Sequence, residues 1–160
     1  EEGLAIVEGA RRRYDGIRRN PWDEVECGSH YARAMSSWGL IIALSGYFYS
    51  ARERLMQFSP KVSQGDFRCF WSNASAWGTF CQKLSENLAE IRLDVLHGEQ
   101  RLRSLRLGLE APGTEVSALL EVGDELVRCS AMSGGGWVEL RFEKEITISA
   151  GGALTARITR

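Results

Sequence analysis

Near Arg54 the period of the apolar pattern changes from about 3.6 residues to about 2, which orders the chain as helices first and strands after. Before the switch, Leu4, Ile6, Val7 and Ala10 make a helix face that ends near Tyr14, where Asp15-Gly16 punctuates the chain. A second helix is predicted from Tyr31, Ala34, Met35, Trp38, Ile41, Ile42 and Ser45, which recur at helical spacing; Ser29 is placed to cap its start and Gly46 to end it. After the switch, alternating sets each line one face of a strand: Ile91, Leu93 and Val95; Leu105, Leu107 and Leu109; Val138, Leu140 and Phe142; Ile146 and Ile148; Leu154, Ala156 and Ile158. The dipeptides His97-Gly98, Pro112-Gly113, Gly123-Asp124 and Gly151-Gly152, and the run Gly134-Gly135-Gly136, read as the turns between them. The expected class is α+β, with helices over residues 1–53 and an antiparallel sheet or sandwich of hairpins over 54–160.

With 160 residues, 44% of them hydrophobic, the chain can bury one ordinary core. Twenty Lys and Arg against 21 Asp and Glu give a net charge of −1, which offers no broad positive field to nucleic acid or anionic lipid. The short runs Arg11-Arg12-Arg13 and Arg18-Arg19 read as solvated helix faces. The longest apolar stretch, Trp38 to Tyr49, is broken by Gly39, Ser45 and Gly46 and falls short of the ~20 residues of a membrane span. Four cysteines, Cys27, Cys69, Cys81 and Cys129, lie far apart among apolar neighbours; they read as buried free thiols in a reducing, cytoplasmic setting, although the adjacent candidate strands of Cys69 and Cys81 leave a disulfide open. The chain opens at Glu1 as if in mid-helix and ends at Arg160 after an alternating pattern, so a piece of a longer polypeptide is expected.

Between Ile17 and Gly28 neither period holds, and Pro21 and Gly28 mark a loop. The stretch Asn20 to Met35 is the one that gathers reactive side chains beside an aromatic ring. A sugar site needs carboxylates and guanidinium groups for hydroxyls and an aromatic platform for the ring face. Glu24 or Glu26 can accept from adjacent hydroxyls, Arg33 can donate a fork, and Trp22 can stack. The same residues admit a plain ion pair of Arg33 with Glu26 or Asp23, tying loop to helix. As a catalytic pair Glu24 and Glu26 are poorly suited: a retaining glycosidase holds its carboxyls ~5–5.5 Å apart, whereas alternate residues of an extended backbone point apart. Cys27 and His30 form one short pair without a second, and His97 is distant, so neither a metal site nor a cofactor is expected. A Cys27-His30 nucleophile would lack an orienting partner.

The run NPWDEVECGSHYARAMSSWGLIIALSG closely resembles the signature near the end of the catalytic domain in glycoside hydrolase family 116, the family of non-lysosomal glucosylceramidases and prokaryotic β-glucosidases. The likeness is strong from Arg18 to Gly46 and continues weakly through Phe58-Ser59-Pro60, Asp66-Phe67-Arg68 and Trp77-Gly78-Thr79-Phe80. It implies that residues 1–53 are the terminal helices of an (α/α)6 barrel; the β-rich extension over 54–160 departs from the family and is read from the alternating pattern alone. It implies a retaining β-glucosidase or glucosylceramidase acting on a glucoside or glucosyl-lipid. Glu24 and Arg33 would hydrogen-bond the glucose, with Trp22, Glu26 and His30 as weaker candidates. The nucleophile and acid/base carboxylates would lie upstream in the same polypeptide, leaving none in this chain and the chain alone inactive. Asp23 departs from the Asn expected at its position.

The competing expectation is a non-catalytic carbohydrate-binding or interaction module, for which Trp71, Trp77 and Trp137 would form an exposed coplanar platform. Their strand-period placement among apolar residues favours burial, which would make the three rings core.

Overall fold

The computed structural model describes residues 1–17, 36–109 and 117–159. Its contacts divide the chain into two units, Glu1–Leu40 and Ile41–Arg160. In the first, helix α1 (Glu2–Arg11) carries an Arg12–Glu8 ion pair one turn apart and buries none of its residues. Helix α2 (Ser36–Ser45) ends in the second unit.

The second unit is built from β1 (Phe48–Ser50), β2 (Leu55–Phe58), β3 (Asp66–Ser72), β4 (Ala76–Leu84), β5 (Leu88–Leu107), β6 (Ser117–Val122), β7 (Glu125–Val127), β8 (Cys129–Gly134), β9 (Trp137–Ser149) and β10 (Ala153–Thr159). Strand β5, 20 residues long, runs through both halves of the structure. Its first half lies between β4 and β10, with β3 beyond β4 and β6–β7 beyond β10. Its second half lies between β9 and β2, with β8 beyond β9 and β1 beyond β2. The β2–β5 pairing is parallel and every other pairing is antiparallel.

The inward faces of the two halves share one core. Phe58 of β2 stacks on Phe80 of β4, ring centroids 3.8 Å apart and 5° from parallel, and Phe67 and Tyr47 tilt against that pair. Leu93, Leu102, Leu105, Leu107, Leu140 and Leu154 are fully buried around it. Alternation is the main reason: on β4 and on the first half of β5 every second residue points inward, while β2 is buried along nearly its whole length.

Three expectations are corrected. The α+β class with terminal helices of an (α/α)6 barrel is not the architecture: the described residues form ten strands and two helices of ten residues each. Leu4, Ile6, Ile41 and Ile42 of these helices are exposed. An apolar stripe shows that a helix wants a cover and leaves open what the cover is. Secondly, His97-Gly98 is no turn, because β5 passes straight through it. Gly98 takes φ +80°, and a Cβ there would press on the Ala76 Cα at 3.0 Å and the Ser75 backbone, so the glycine lets the β3–β4 hairpin tip cross the strand. Thirdly, the strands begin at Phe48, ahead of Arg54, and one of their pairings is parallel.

Candidate functional site

The residues assigned to the sugar site from the sequence, Glu24 and Arg33 with Trp22, Glu26 and His30, lie outside the described residues. What the structure defines is how the helix that follows them ends. Gly46 takes φ +60° and its N–H donates to the Ile42 carbonyl at 2.9 Å, closing α2 with a left-handed residue. Ser45 Oγ donates to the Ile41 carbonyl at 2.6 Å and accepts from the Tyr47 N–H at 3.2 Å. The Ser59 N–H donates to the Ser45 carbonyl and the Lys61 N–H to the Leu44 carbonyl, both at 2.8 Å. Carbonyls that a helix C-terminus leaves unpaired are thus taken up by the segment after β2. Of the fragments Phe58-Ser59-Pro60, Asp66-Phe67-Arg68 and Trp77-Gly78-Thr79-Phe80, Ser59 belongs to this anchor and Phe58, Phe67 and Phe80 to the aromatic core, while Asp66, Arg68, Trp77 and Thr79 face outward.

The outer face of the β3-β4-β5-β10-β6 half is concave and holds a cavity of about 600 Å³. Register builds it in rows across the strands. Arg68, Cys81, Arg92, Thr155 and Glu121 are consecutive cross-strand partners. The next row is Asp66, Lys83, Glu90, Arg157 and Leu119. Arg92 pairs with Asp94 at 2.7 Å, Asp94 accepts from the Thr79 hydroxyl at 3.0 Å, and Arg157 faces Glu90 at 3.6 Å. Sequence reading passed over these groups because each, taken alone, is an ordinary solvated strand residue.

The three tryptophans do not make one platform. Trp71 is core at 1% exposure, whereas Trp77 is 41% exposed and stacks on His97, centroids 5.8 Å apart and planes 18° apart. Trp137 is half-buried on the other half of the structure, with the Arg106 guanidinium 5.2 Å from its ring centroid. Beside it Glu139, nearly buried, accepts from Arg106 Nε and Nη2 at 2.9 and 2.6 Å and from Arg141 Nε at 2.7 Å. Burial opposes ionisation there, but the hydrogen bonds from Arg141 and Arg106 outweigh it and hold the carboxyl below its ordinary range.

No group of three or more His, Cys, Asp or Glu side chains suited to a metal ion occurs among the described residues, and no described helix is long and apolar enough to cross a membrane. Cys69, Cys81 and Cys129 are free thiols, and the disulfide left open between Cys69 and Cys81 is not formed. Burial, with the neighbouring Cys81 adding to it, pushes the Cys69 thiol up to about 12 against a weaker opposing hydrogen bond from Ser45. Cys69 is therefore held protonated at neutral pH, which slows its reaction as a thiolate. Native chain treated with iodoacetamide at pH 7.5 should show Cys69 unmodified by peptide mass spectrometry, and denatured chain should show it labelled; rapid native labelling would mean that this side of the sheet opens.

No family model matches the chain, and no curated protein matches it.

Proposed function

We propose that the chain is the C-terminal part of a retaining glycoside hydrolase acting on β-glucosides, a β-glucosidase or glucosylceramidase, and that it contributes glucose-binding residues while the catalytic carboxylates come from upstream in the same polypeptide. The observation that carries the reading is the segment Asn20 to Met35, with its resemblance to the family 116 signature and its own chemistry: a loop carboxylate, a fork-donating arginine and an aromatic ring within sixteen positions. The reading takes over the activity and leaves out the barrel. Glu24 accepts from glucose hydroxyls and Arg33 donates to them, while Trp22, Glu26 and His30 complete the surround. Support from the folded part is indirect: the end of α2, twelve residues beyond Arg33, is pinned by hydrogen bonds from Ser59 and Lys61, which fixes one end of the helix that follows the segment. The free thiols suit a reducing, cytoplasmic setting.

In the intact polypeptide, Arg33→Ala should remove a charge-assisted hydrogen bond of roughly 1.5–3 kcal/mol and lower kcat/KM for an aryl β-glucoside by about one to two orders of magnitude, with the melting temperature nearly unchanged. The 160-residue chain by itself should show no turnover. If Arg33→Ala lowers the melting temperature and leaves kcat/KM intact, Arg33 serves the fold through an ion pair with Glu26 or Asp23, and the sugar assignment fails.

A further inference from the structure

The concave outer face lies outside the residues that the proposed glucose subsite uses. Its volume, about 600 Å³, lies in the range of ligand sites, roughly 300–1,000 Å³. It carries charges of both signs: Asp66, Lys83, Glu90 and Arg157 alternate across one row, and Arg68 and Arg92 share the neighbouring row with Glu121. Near-balance of this kind gives a polyanion little to bind and rejects an apolar ligand, which would leave those charges desolvated. A hydroxyl group both donates and accepts, so a ligand carrying many hydroxyls and no charge can use guanidinium and carboxylate groups side by side.

Two further observations suit the same ligand. Arg92 and Asp94, the Thr79 hydroxyl with Asp94, and Arg157 with Glu90 are held by one another, so several of the polar groups are positioned before anything binds. On the outer face of β4, Lys83, Cys81, Thr79 and Trp77 follow one another, so the polar floor leads to an exposed indole flanked by His97 and, at 6.0 Å, by Phe70. Four residues of strand, about 13 Å at ~3.3 Å each, separate the Cys81 row from Trp77. The site is elongated, polar along its floor and aromatic at one end.

We infer that this groove binds a neutral oligosaccharide lying across β4 and β5, with a sugar ring against Trp77 and its hydroxyls shared among Arg92, Glu90 and Arg157. That the sugar is a β-linked glucan rests on the glucosidase reading; the groove itself does not.

The test is calorimetric titration of the 160-residue chain with cellohexaose and laminarihexaose, with maltohexaose and a galacturonic acid hexamer as comparisons. A β-glucan hexamer should bind, and Trp77→Ala and Arg92→Ala should each weaken it about tenfold. Met132→Ala, an exposed position on the other half of the structure, should leave it unchanged. Both site residues are exposed, so unchanged melting curves will show that the variants fold. Binding of maltohexaose alone keeps the groove and removes the β-linkage. Absence of binding by every neutral hexamer, preference for the galacturonic acid hexamer, or affinity indifferent to both site variants overturns the proposal. The groove is read from hexamer binding and its Trp77 and Arg92 variants, and the glucose subsite from kcat/KM of the intact polypeptide, so failure of the one and failure of the other are told apart.

Discussion

Phe80→Ala is expected to destabilise the unit Ile41–Arg160 by about 3–5 kcal/mol, the range for emptying a buried phenylalanine site. Phe80 is fully buried and lies flat on Phe58, so truncation removes the transfer term of the ring and leaves a cavity facing a stacked partner that has no room to follow. At roughly 4 °C per kcal/mol for a domain of this size, the melting temperature should fall about 12–20 °C. Phe80→Leu retains most of the volume and should fall between. The consequence reaches α2, because Phe58 immediately precedes Ser59, whose N–H holds the Ser45 carbonyl at the helix end. Hydrogen exchange at the Ser59 and Lys61 amides should therefore speed up in Phe80→Ala more than exchange in β9. A melting shift below about 4 °C would mean that the two halves of the structure do not share a core.

Period-two alternation was legible where it mattered for the core, since Ile91, Leu93, Val95, Leu140 and Leu154 are all buried on strands. What alternation cannot report is continuity. His97-Gly98 has the composition of a turn, yet the glycine serves a close backbone crossing inside one strand, and local sequence does not tell those uses apart. Nor can it report partners. The residues of β2, Leu55–Phe58, are almost wholly buried with no alternation to orient them, and their parallel pairing with the far end of β5 joins residues nearly fifty positions apart. Helix α2 shows the same limit. Its run of Leu40, Ile41, Ile42, Ala43 and Leu44 suits any apolar neighbour, and the barrel came from resemblance and not from the residues themselves.

For sites the asymmetry is sharper. The loop chemistry of Glu24 and Arg33 could be read because its parts are close in sequence, within one stretch that breaks both periods. The groove could not, because Arg68, Arg92, Glu121 and Arg157 are spread over ninety positions and meet through register across five strands. Nothing in any one strand sets such residues apart from the solvated faces that every exposed sheet requires.

Glu139→Gln should cost about 3 kcal/mol at neutral pH, near the lower end of the ~3–5 kcal/mol typical of breaking a buried pair from one side. The carboxylate is 5% exposed while Arg106 and Arg141 are 35% and 58% exposed, so both guanidinium groups can turn part of their charge to water when the partner is lost. That outlet keeps the cost from rising further. The amide also presents an N–H toward donors that have no lone pair to receive it. The pH dependence follows from the lowered carboxyl pKa. A group whose folded pKa is depressed contributes its stability above the unfolded value, about 4.3 for glutamate, and loses it as pH falls through the folded value. Urea melts of wild type and Glu139→Gln should therefore differ by a constant amount from pH 7 down to about 5 and converge below about 4.3. Convergence at low pH assigns the stabilisation to the charged carboxylate, held between β5 and β9 by Arg106 and Arg141. A gap of about 3 kcal/mol that persists undiminished to pH 3 would assign it to packing instead.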